Sequence, residues 1–299
     1  MRILISGASG LAGTALTKAF RAEGSTVAHL VRPGGAAPDG GIRWDPRNGS
    51  VDASAMEGAD VVVNLNGASI AGGRWTPARK AILRASRVDA TRTLADALGR
   101  LRQKPRVLIS ASAVGYYGDR GDEILTESSG AGTGFLAELA RDWEAEAMRA
   151  EGSGIRTVLA RFGVILSAEG GALPRMLTPF KLGAGGRLGS GKQWMPWIAL
   201  EDVIGAIRFV IANADMSGPV NVVAPNAVRN AEFTRTLAHA LHRPAIFPAP
   251  AFALRLVLGE LADELLLAGQ RARPEKLLTA GYAFRFDTLD TALKAILAA

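Results

Sequence analysis

Short apolar runs alternate with longer amphipathic stretches along most of this 299-residue chain. The apolar runs predict strands, and several, such as the run from Val61 to Leu65, are apolar at nearly every position. Such continuous runs are typical of strands that are buried on both faces of a sheet. We predict strands at residues 2–6, 26–32, 61–65, 106–112, 156–162 and 219–223. We predict helices near residues 11–22, 77–100, 134–150, 172–182, 201–213 and 231–241.

Strands that alternate with helices indicate a parallel sheet with helices on both of its faces. The expected fold class is therefore α/β, with a doubly wound parallel sheet. The alternation stops after about Pro225, and prolines then mark the ends of further predicted helices. We expect residues 1–225 to form the sheet domain, including part of a substrate region. We expect residues 226–299 to form a smaller, mostly helical C-terminal domain packed against it.

Three glycines follow the first predicted strand at intervals of three residues. Gly7 allows a sharp turn from strand to helix, Gly10 leaves no Cβ in front of the helix, and Gly13 permits close packing of helix on sheet. The start of the helix then offers free N–H groups and the positive end of its dipole to an anion. This pattern predicts a Rossmann-type dinucleotide site, with the pyrophosphate lying on the glycine turn.

Arg32 closes the second predicted strand, about 20 residues beyond the glycines. Sites that prefer NAD usually carry Asp or Glu at this position, where the carboxylate accepts hydrogen bonds from the ribose. The planar fork of an arginine suits the 2′-phosphate of NADP instead. We therefore predict NADP(H) as the cofactor and residues 1–225 as an NADP-binding domain. A solvated charge at a strand end is the alternative interpretation of Arg32.

Composition excludes several other classes of function. The chain has no cysteine, so disulfides, thiol nucleophiles and zinc–thiolate sites are excluded. His239 and His242 lack a nearby carboxylate, so we predict surface histidines and no metal site. The net charge is +7, but the 28 arginines are dispersed, which argues against nucleic-acid binding. Without a membrane-spanning run or a leader before the first strand, we expect a cytoplasmic protein that binds no membrane.

Further motifs, spread over essentially the whole chain, resemble the extended short-chain dehydrogenases/reductases. Within that superfamily the chain resembles the atypical "epimerase family" branch, which has its own C-terminal domain of undetermined function. The motifs are the glycine turn and the segments 60–68, 110–118, 135–137, 143–144, 161–166, 193–198, 221–226, 259–260, 265–270 and 274–277.

The resemblance assigns cofactor contacts to residues at the ends of the predicted strands. It implies that Gly7, Ser9, Gly10, Leu11 and Ala12 surround the pyrophosphate, with Arg32 near the adenosine ribose. It implies a second group of contacts at the ends of the third, fourth and fifth predicted strands. These are Asn66, Gly67, Ala68, Ser110, Gly163 and Val164. For Asn66, strand-end turn chemistry is an open alternative. The resemblance also implies a substrate region that contains Met176, Gln193, Trp194 and Trp197.

The same resemblance implies a catalytic Ser or Thr after the fourth strand, together with a Tyr and a Lys one helical turn apart. Here the Tyr and Lys positions read Phe135 and Leu139, so the usual proton donor and its cationic partner are missing. Ser112, Tyr116 and Tyr117 remain as candidate catalytic residues. Glu138 and Asp142 are more distant alternatives, and both tyrosines could instead only shape a pocket.

These observations leave two hypotheses of different classes. The first is an NADP(H)-dependent oxidoreductase or epimerase that acts on a small-molecule substrate, with homo-oligomerisation as an open question. The second is a non-catalytic dinucleotide-binding redox sensor or regulatory module. Phe135 and Leu139 favour the second hypothesis, whereas Ser112 and the paired tyrosines favour the first. NADP(H)-dependent turnover of a small substrate would distinguish them.

Overall fold

The computed structural model describes residues 1–34 and 41–298. Its strands are β1 (Arg2–Ser6), β2 (Thr26–Val31), β3 (Ile42–Asp45), β4 (Ser50–Val51), β5 (Val61–Asn64), β6 (Val107–Ala113), β7 (Ile124–Leu125), β8 (Arg156–Phe162), β9 (Val164–Leu166), β10 (Trp194–Met195), β11 (Trp197–Ala199), β12 (Gly218–Val222), β13 (Val228–Arg229) and β14 (Arg271–Ala272). Its α-helices are α1 (Leu11–Ala22), α2 (Pro77–Ala85), α3 (Val88–Gly99), α4 (Phe135–Met148), α5 (Leu173–Lys181), α6 (Leu200–Ala212), α7 (Asn230–Ala240), α8 (Ala251–Leu258), α9 (Glu275–Thr279) and α10 (Leu289–Ala298).

The main sheet has eight strands in the order β12-β8-β6-β5-β1-β2-β3-β4. All neighbouring strands are parallel except β3 and β4, which form an antiparallel pair. The first strand, β1, lies in the middle of the sheet. The strands that follow it, β2 to β4, lie on one side of β1, and the strands from β5 to β12 lie on the other. The predicted α/β, Rossmann-type doubly wound sheet is confirmed. The strand order reverses between β1 and β5, where such sheets open a ligand crevice.

Two hydrophobic clusters cover the two faces of this sheet. Side chains alternate between the faces along each strand, so Ile3 and Ile5 pack with α1 and α6, whereas Leu4 packs on the opposite face with α3. The same alternation sends Val61 and Val63 to one cluster and Val62 to the other. Because both faces are covered, the strands need apolar residues at nearly every position, which is the pattern that predicted them.

The structure differs from the predicted elements in several places. The helix expected over 77–100 is two helices, because Arg87, with φ −114° and ψ −63°, departs from ideal helical geometry between them. The Ser86 hydroxyl accepts a hydrogen bond from the N–H of Ala68, so a tertiary contact occupies the break. The short strand β3 was not predicted. Only Ile42 and Trp44 within it are buried, too few positions for a recognisable apolar run.

The C-terminal part is mainly helical, as predicted. Helices α7 and α10 pack together, and a π-helical segment, Ala262–Leu267, follows α8. Buried Asp202 at the start of α6 accepts hydrogen bonds from the backbone N–H groups of Arg285 (2.7 Å) and Phe286 (3.0 Å), which fastens this part to the sheet domain. The boundary at residue 225 stays a prediction. Within the described ranges, no helix is both long and apolar enough to cross a membrane.

Candidate functional site

The turn between β1 and α1 has the geometry that only glycines allow. Gly7 has φ +71°, and a Cβ there would lie 2.5 Å from the carbonyl oxygen of Leu65. A Cβ on Gly13 would lie 2.4 Å from the carbonyl oxygen of Gly7, so Gly13 permits close contact between helix and turn. At Gly10, the N-cap of α1, a Cβ would meet nothing within 4 Å except the Gly7 oxygen at 3.3 Å. Gly10 therefore leaves space free in front of the helix.

A cleft of about 920 Å³ opens from this turn along the carboxyl ends of β1, β2 and β5. Three basic side chains line it, those of Lys18, Arg21 and Arg32, and no Asp or Glu of the described residues does. Half-buried His29 also lines the cleft, and its ring hydrogen-bonds the Thr17 hydroxyl at 3.1 Å. Burial, and next the charge of Arg21, lower the pKa of His29. The cleft therefore suits an elongated anion.

Six of the twelve predicted cofactor residues line this cleft, namely Gly7, Ser9, Gly10, Arg32, Asn66 and Gly67. Leu11 and Ala12 lie half-buried in the first turn of α1. The N–H of Ala68 binds the Ser86 hydroxyl at 3.0 Å. The N–H groups of Gly163 and Val164 already bind the carbonyl oxygens of Val222 (3.2 Å) and Pro196 (2.8 Å).

A buried polar network holds the strand ends beneath the cleft. The Asn64 amide donates to the hydroxyls of Thr91 (2.9 Å) and Ser110 (3.0 Å) and accepts from the Ser6 hydroxyl at 2.8 Å. Asn66 in turn donates to Ser6 and to Asn64, each at 2.7 Å. The side chain of Ser110 is fully buried within this network. These contacts fix the loop after β5 against the glycine turn.

The candidate catalytic Ser112 is hydrogen-bonded inside the protein. Its side chain is 2% exposed, and its hydroxyl donates to Glu144 on α4 at 2.6 Å. Arg161 on β8 forms two 2.8 Å hydrogen bonds with the same carboxylate. Burial alone would lower the pKa of Arg161, but the hydrogen bonds and charge of Glu144 raise it above its ordinary value. The hydroxyl proton of Ser112 is therefore held in a hydrogen bond to a charged carboxylate.

The two adjacent tyrosines have different environments. Tyr117 is fully buried, and its hydroxyl contacts Asn221 Oδ1 (2.7 Å), the Thr126 carbonyl oxygen (3.0 Å) and Arg161 (3.0 Å). Burial raises the pKa of Tyr117. Tyr116 is half-buried, and the guanidinium of Arg161 lies 3.5 Å from the centre of its ring. Among the described residues, none hydrogen-bonds the Tyr116 hydroxyl.

The positions of the missing Tyr and Lys lie at the start of α4, in an apolar cluster. Phe135 packs edge-on against Trp75 with 5.2 Å between ring centres, and Leu139 is buried beside it. Gly134 precedes the helix with φ +99° and has no side chain to cap it. Glu264 of the C-terminal part caps it instead, accepting hydrogen bonds from the N–H groups of Phe135 (2.7 Å) and Leu136 (2.8 Å).

The residues predicted for the substrate region take different positions. Trp197 is fully buried, and its indole N–H binds the Asn226 carbonyl oxygen at 3.0 Å. The side-chain amide of Gln193 donates hydrogen bonds to the carbonyl oxygens of Leu188 (3.1 Å) and Leu266 (2.9 Å). Met176 packs against the hydrophobic cluster that contains Trp197. Trp194 is half-buried and lies beneath the guanidinium groups of Arg229 and Arg271, at 4.6 and 4.5 Å from its ring centre.

Sequence reasoning gave no role to three charged residues around the site. Glu144 and Arg161 appeared only as family motifs, and Glu264 carried no local signal at all. Their partners lie 17 to 129 residues away along the chain, so spacing does not reveal them. The one available signal was the presence of charged residues within otherwise apolar elements, such as Arg161 in β8.

The glycine turn, the reversal of strand order and the basic cleft together define a Rossmann-type dinucleotide-binding protein. The chain belongs to the NAD dependent epimerase/dehydratase family, whose model matches residues 3–224. A domain of unknown function, DUF1731, matches residues 249–296. The resemblance seen in the sequence is thereby confirmed.

Named relatives match over nearly their full length. The chain is 47% identical over 291 residues to the epimerase family protein Mb2239 of Mycobacterium bovis, which covers 97% of this chain and 96% of that protein. It is 40% identical over 302 residues to the epimerase family protein YfhF of Bacillus subtilis, which covers 100% and 98% of the two chains.

Two solved structures are similar over the whole chain. The human epimerase family protein SDR39U1 (isoform 2), crystallised with NADPH, has a TM-score of 0.91 and 34% identity, and the match covers 100% of this chain and 99% of that one. A nucleoside-diphosphate sugar epimerase from Corynebacterium glutamicum has a TM-score of 0.82 and 37% identity. That match covers 99% of this chain and 58% of the other.

Proposed function

We propose that this protein binds NADP(H) in the cleft and transfers hydride between its nicotinamide and a small substrate, as an oxidoreductase or epimerase. The observation that carries the proposal is the cleft itself, which runs from the open turn at Gly10 to Arg32. Basic side chains line it, and none of the described residues that line it is acidic. The human relative crystallised with NADPH supports the same choice of cofactor.

The residues of this chain fit a dinucleotide phosphate. A pyrophosphate fits the space in front of Gly10, where the N–H groups at the start of α1 and the helix dipole stabilise negative charge. Arg32 is exposed at the end of β2, and its planar fork suits a 2′-phosphate. The bound cofactor would supply the hydride, so the protein's own task is to orient the substrate and move a proton.

Tyr116 is the proposed proton donor to the substrate oxygen. Tyr117 is fully buried and its hydroxyl already has three partners, and the proton of Ser112 is held by Glu144. Tyr116 is the more exposed of the two tyrosines, and the stacked guanidinium of Arg161 holds its ring in place. Among the described residues none donates a hydrogen bond to the Ser112 oxygen, and Ser112 is proposed to accept a hydrogen bond rather than to donate one.

A redox sensor without turnover is the second candidate function, and one observation favours it. Phe135 and Leu139 belong to an apolar cluster with Trp75, which leaves no titratable group where the family usually has its Tyr and Lys. Loss of a general acid typically slows such chemistry by about 10²–10⁴-fold. Generic carbonyl compounds are therefore expected to be reduced slowly or not at all, although NADPH binds.

Two measurements, made one after the other, test the proposal. Calorimetric titration should show NADPH binding more tightly than NADH, and equal affinities would contradict the choice of cofactor. A panel of aldehydes, ketones and their alcohols is then assayed with NADPH and NADP⁺. If a substrate is turned over, Tyr116→Phe should abolish the turnover while its affinity for NADPH is largely kept. Tyr117→Phe should keep most of the activity. This combination of results would support Tyr116 as the proton donor. Tight NADPH binding without turnover of any compound would favour the sensor.

A further inference from the structure

An exposed apolar surface surrounds α8 in the C-terminal part. None of the residues of α8 is buried, although seven of its eight side chains are apolar. Six large apolar side chains in this region are 61–79% exposed, namely Leu182, Ile246, Phe247, Phe252, Leu256 and Val257. We call these six residues the α8 patch. Soluble proteins rarely expose so many large apolar side chains together unless the surface binds something.

Backbone contacts bring the two parts of the α8 patch together. The N–H of Phe247 donates to the carbonyl oxygen of Gly185 at 3.3 Å, and the N–H of Ala249 donates to that of Arg187 at 2.9 Å. The chain that leads into α8 therefore runs beside the loop that follows α5. Leu182 lies three residues before Gly185, and α8 begins two residues after Ala249. The patch is thus one region of the surface.

The two segments that form the patch carry only positive charge. Residues 170–200 contain four basic residues and residues 233–259 contain three, and neither segment contains Asp or Glu. Three exposed basic residues flank the patch, namely Lys181, Arg187 and Arg243. In the part of the chain that the structure describes, none of these three forms an ion pair with a carboxylate. The rim of the patch is therefore basic.

The carboxylates that follow α8 do not neutralise this rim. Asp263 pairs with Arg255 on α8 at 2.7 Å, and Glu260 pairs with Lys80 on α2 at 2.5 Å. Each of these acidic groups thus compensates a basic group other than the three of the rim. The positive charge of the rim remains in excess beside the exposed apolar side chains.

This combination of charge and apolar surface favours one kind of partner. In a symmetric dimer the same patch would meet itself, so two basic rims would face each other and repel. An anionic bilayer offers the opposite charge together with an apolar layer into which Phe and Leu side chains insert. Because no residue of α8 is buried, its side chains can enter such a layer without rearrangement of the core.

We infer that the α8 patch is a peripheral membrane-binding surface for anionic phospholipids. Phe252, Leu256 and Val257 enter the boundary between headgroups and acyl chains, and the three basic residues of the rim bind the headgroups. Such a contact needs no membrane-spanning run, so it differs from the expectation, based on the lack of such a run, that the protein binds no membrane. No residue of the patch lines the dinucleotide cleft, so lipid binding does not depend on the proposed cofactor.

The lack of cysteine permits a direct test on the full chain. Phe252→Cys places a single thiol in the patch, and the control Ile82→Cys places one at an exposed apolar position on α2. Each thiol is labelled with nitrobenzoxadiazole, whose emission reports the polarity around it. The vesicles are phosphatidylcholine alone or with about 30% phosphatidylglycerol. We expect blue-shifted emission, at least about threefold brighter, only for the Phe252 label with phosphatidylglycerol.

Co-sedimentation with the same vesicles measures the partition of unlabelled variants. Phe252→Ser combined with Leu256→Ser should weaken binding to the anionic vesicles at least about tenfold, because two inserted side chains are lost. Substitution of the three basic residues of the rim by Gln should weaken it about a hundredfold. The control removes the same charge at exposed positions outside the patch and should lose less than about threefold. It combines Arg43→Gln, Arg47→Gln and Arg100→Gln.

The other outcomes overturn the inference. Equal binding to both kinds of vesicle, equal losses in the rim and control variants, or no response of the Phe252 label would each contradict it. A wild-type dimer in sedimentation velocity that Phe252→Ser with Leu256→Ser dissociates would show that a second copy covers the patch. Folded wild-type protein that binds neither vesicle would leave a protein partner. Far-UV circular dichroism identifies a misfolded variant, and the labelled Phe252→Cys protein then decides the test.

Discussion

The three glycines of the first turn serve different purposes, which single substitutions separate. Gly10→Val should abolish NADPH binding with little loss of stability, because its side chain would project into the space in front of α1. Gly13→Ala should instead destabilise the fold by about 1–3 kcal/mol, since its Cβ would clash with the backbone of Gly7 and Ala8. Calorimetry and urea unfolding measure the two effects. Undiminished NADPH binding in Gly10→Val would contradict the site.

Arg32 carries the expected preference for NADPH. Arg32→Ala should weaken NADPH by about 1.5–3 kcal/mol, the strength of one charge-assisted hydrogen-bonding contact, and leave NADH nearly unchanged. Arg43, an exposed arginine on β3 that does not line the cleft, provides the control substitution Arg43→Ala. An equal loss for both cofactors in Arg32→Ala would mean that Arg32 does not contact the 2′-phosphate.

The start of α4 shows how one element depends on another far away in the chain. Gly134 cannot cap the helix, so the Glu264 carboxylate from the π-helical segment binds the free N–H groups and meets the positive end of the helix dipole. The C-terminal part therefore stabilises the helix that carries Glu144. It thereby supports the position of Ser112.

Glu264→Ala should lower the free energy of unfolding by about 1–2 kcal/mol, as expected for loss of an N-cap with its charge. Glu260→Ala is the control, because Glu260 forms an exposed ion pair with Lys80, worth at most about 1 kcal/mol. Urea denaturation followed by circular dichroism measures both. Equal stabilities of the two variants would show that the cap contributes little.

At the scale of the whole molecule, the excess of positive charge should steer anionic cofactors into the cleft. The net charge is +7, and the side chains of Lys18, Arg21 and Arg32 bring part of it to the lining of the cleft. Raising sodium chloride from about 0.05 to 0.5 M should weaken NADPH about tenfold and NADH distinctly less, because NADPH carries the additional phosphate. Calorimetry at several salt concentrations checks this. Identical slopes for the two cofactors would contradict the prediction.

The sequence by itself determined the sheet, most helices and the glycine turn. These features arise from local chemistry, since buried parallel strands need continuous apolar residues and a close turn needs glycines at set intervals. The position of Arg32 in the lining of the cleft follows from the same logic, because it closes a predicted strand. The unpredicted β3 shows the limit of this reasoning, as two buried residues make no pattern.

Only the tertiary structure decided which polar groups are free to act. Ser112 and Tyr117 read as equal candidates beside Tyr116, but their hydroxyls bind Glu144 and Asn221, which lie 32 and 104 residues further along the chain. Arg87 likewise read as part of one long helix, whereas contacts with Ala68 and Trp143 bury it in a break. Hydrogen bonds between distant segments leave no trace in local periodicity, so folding alone assigns these partners.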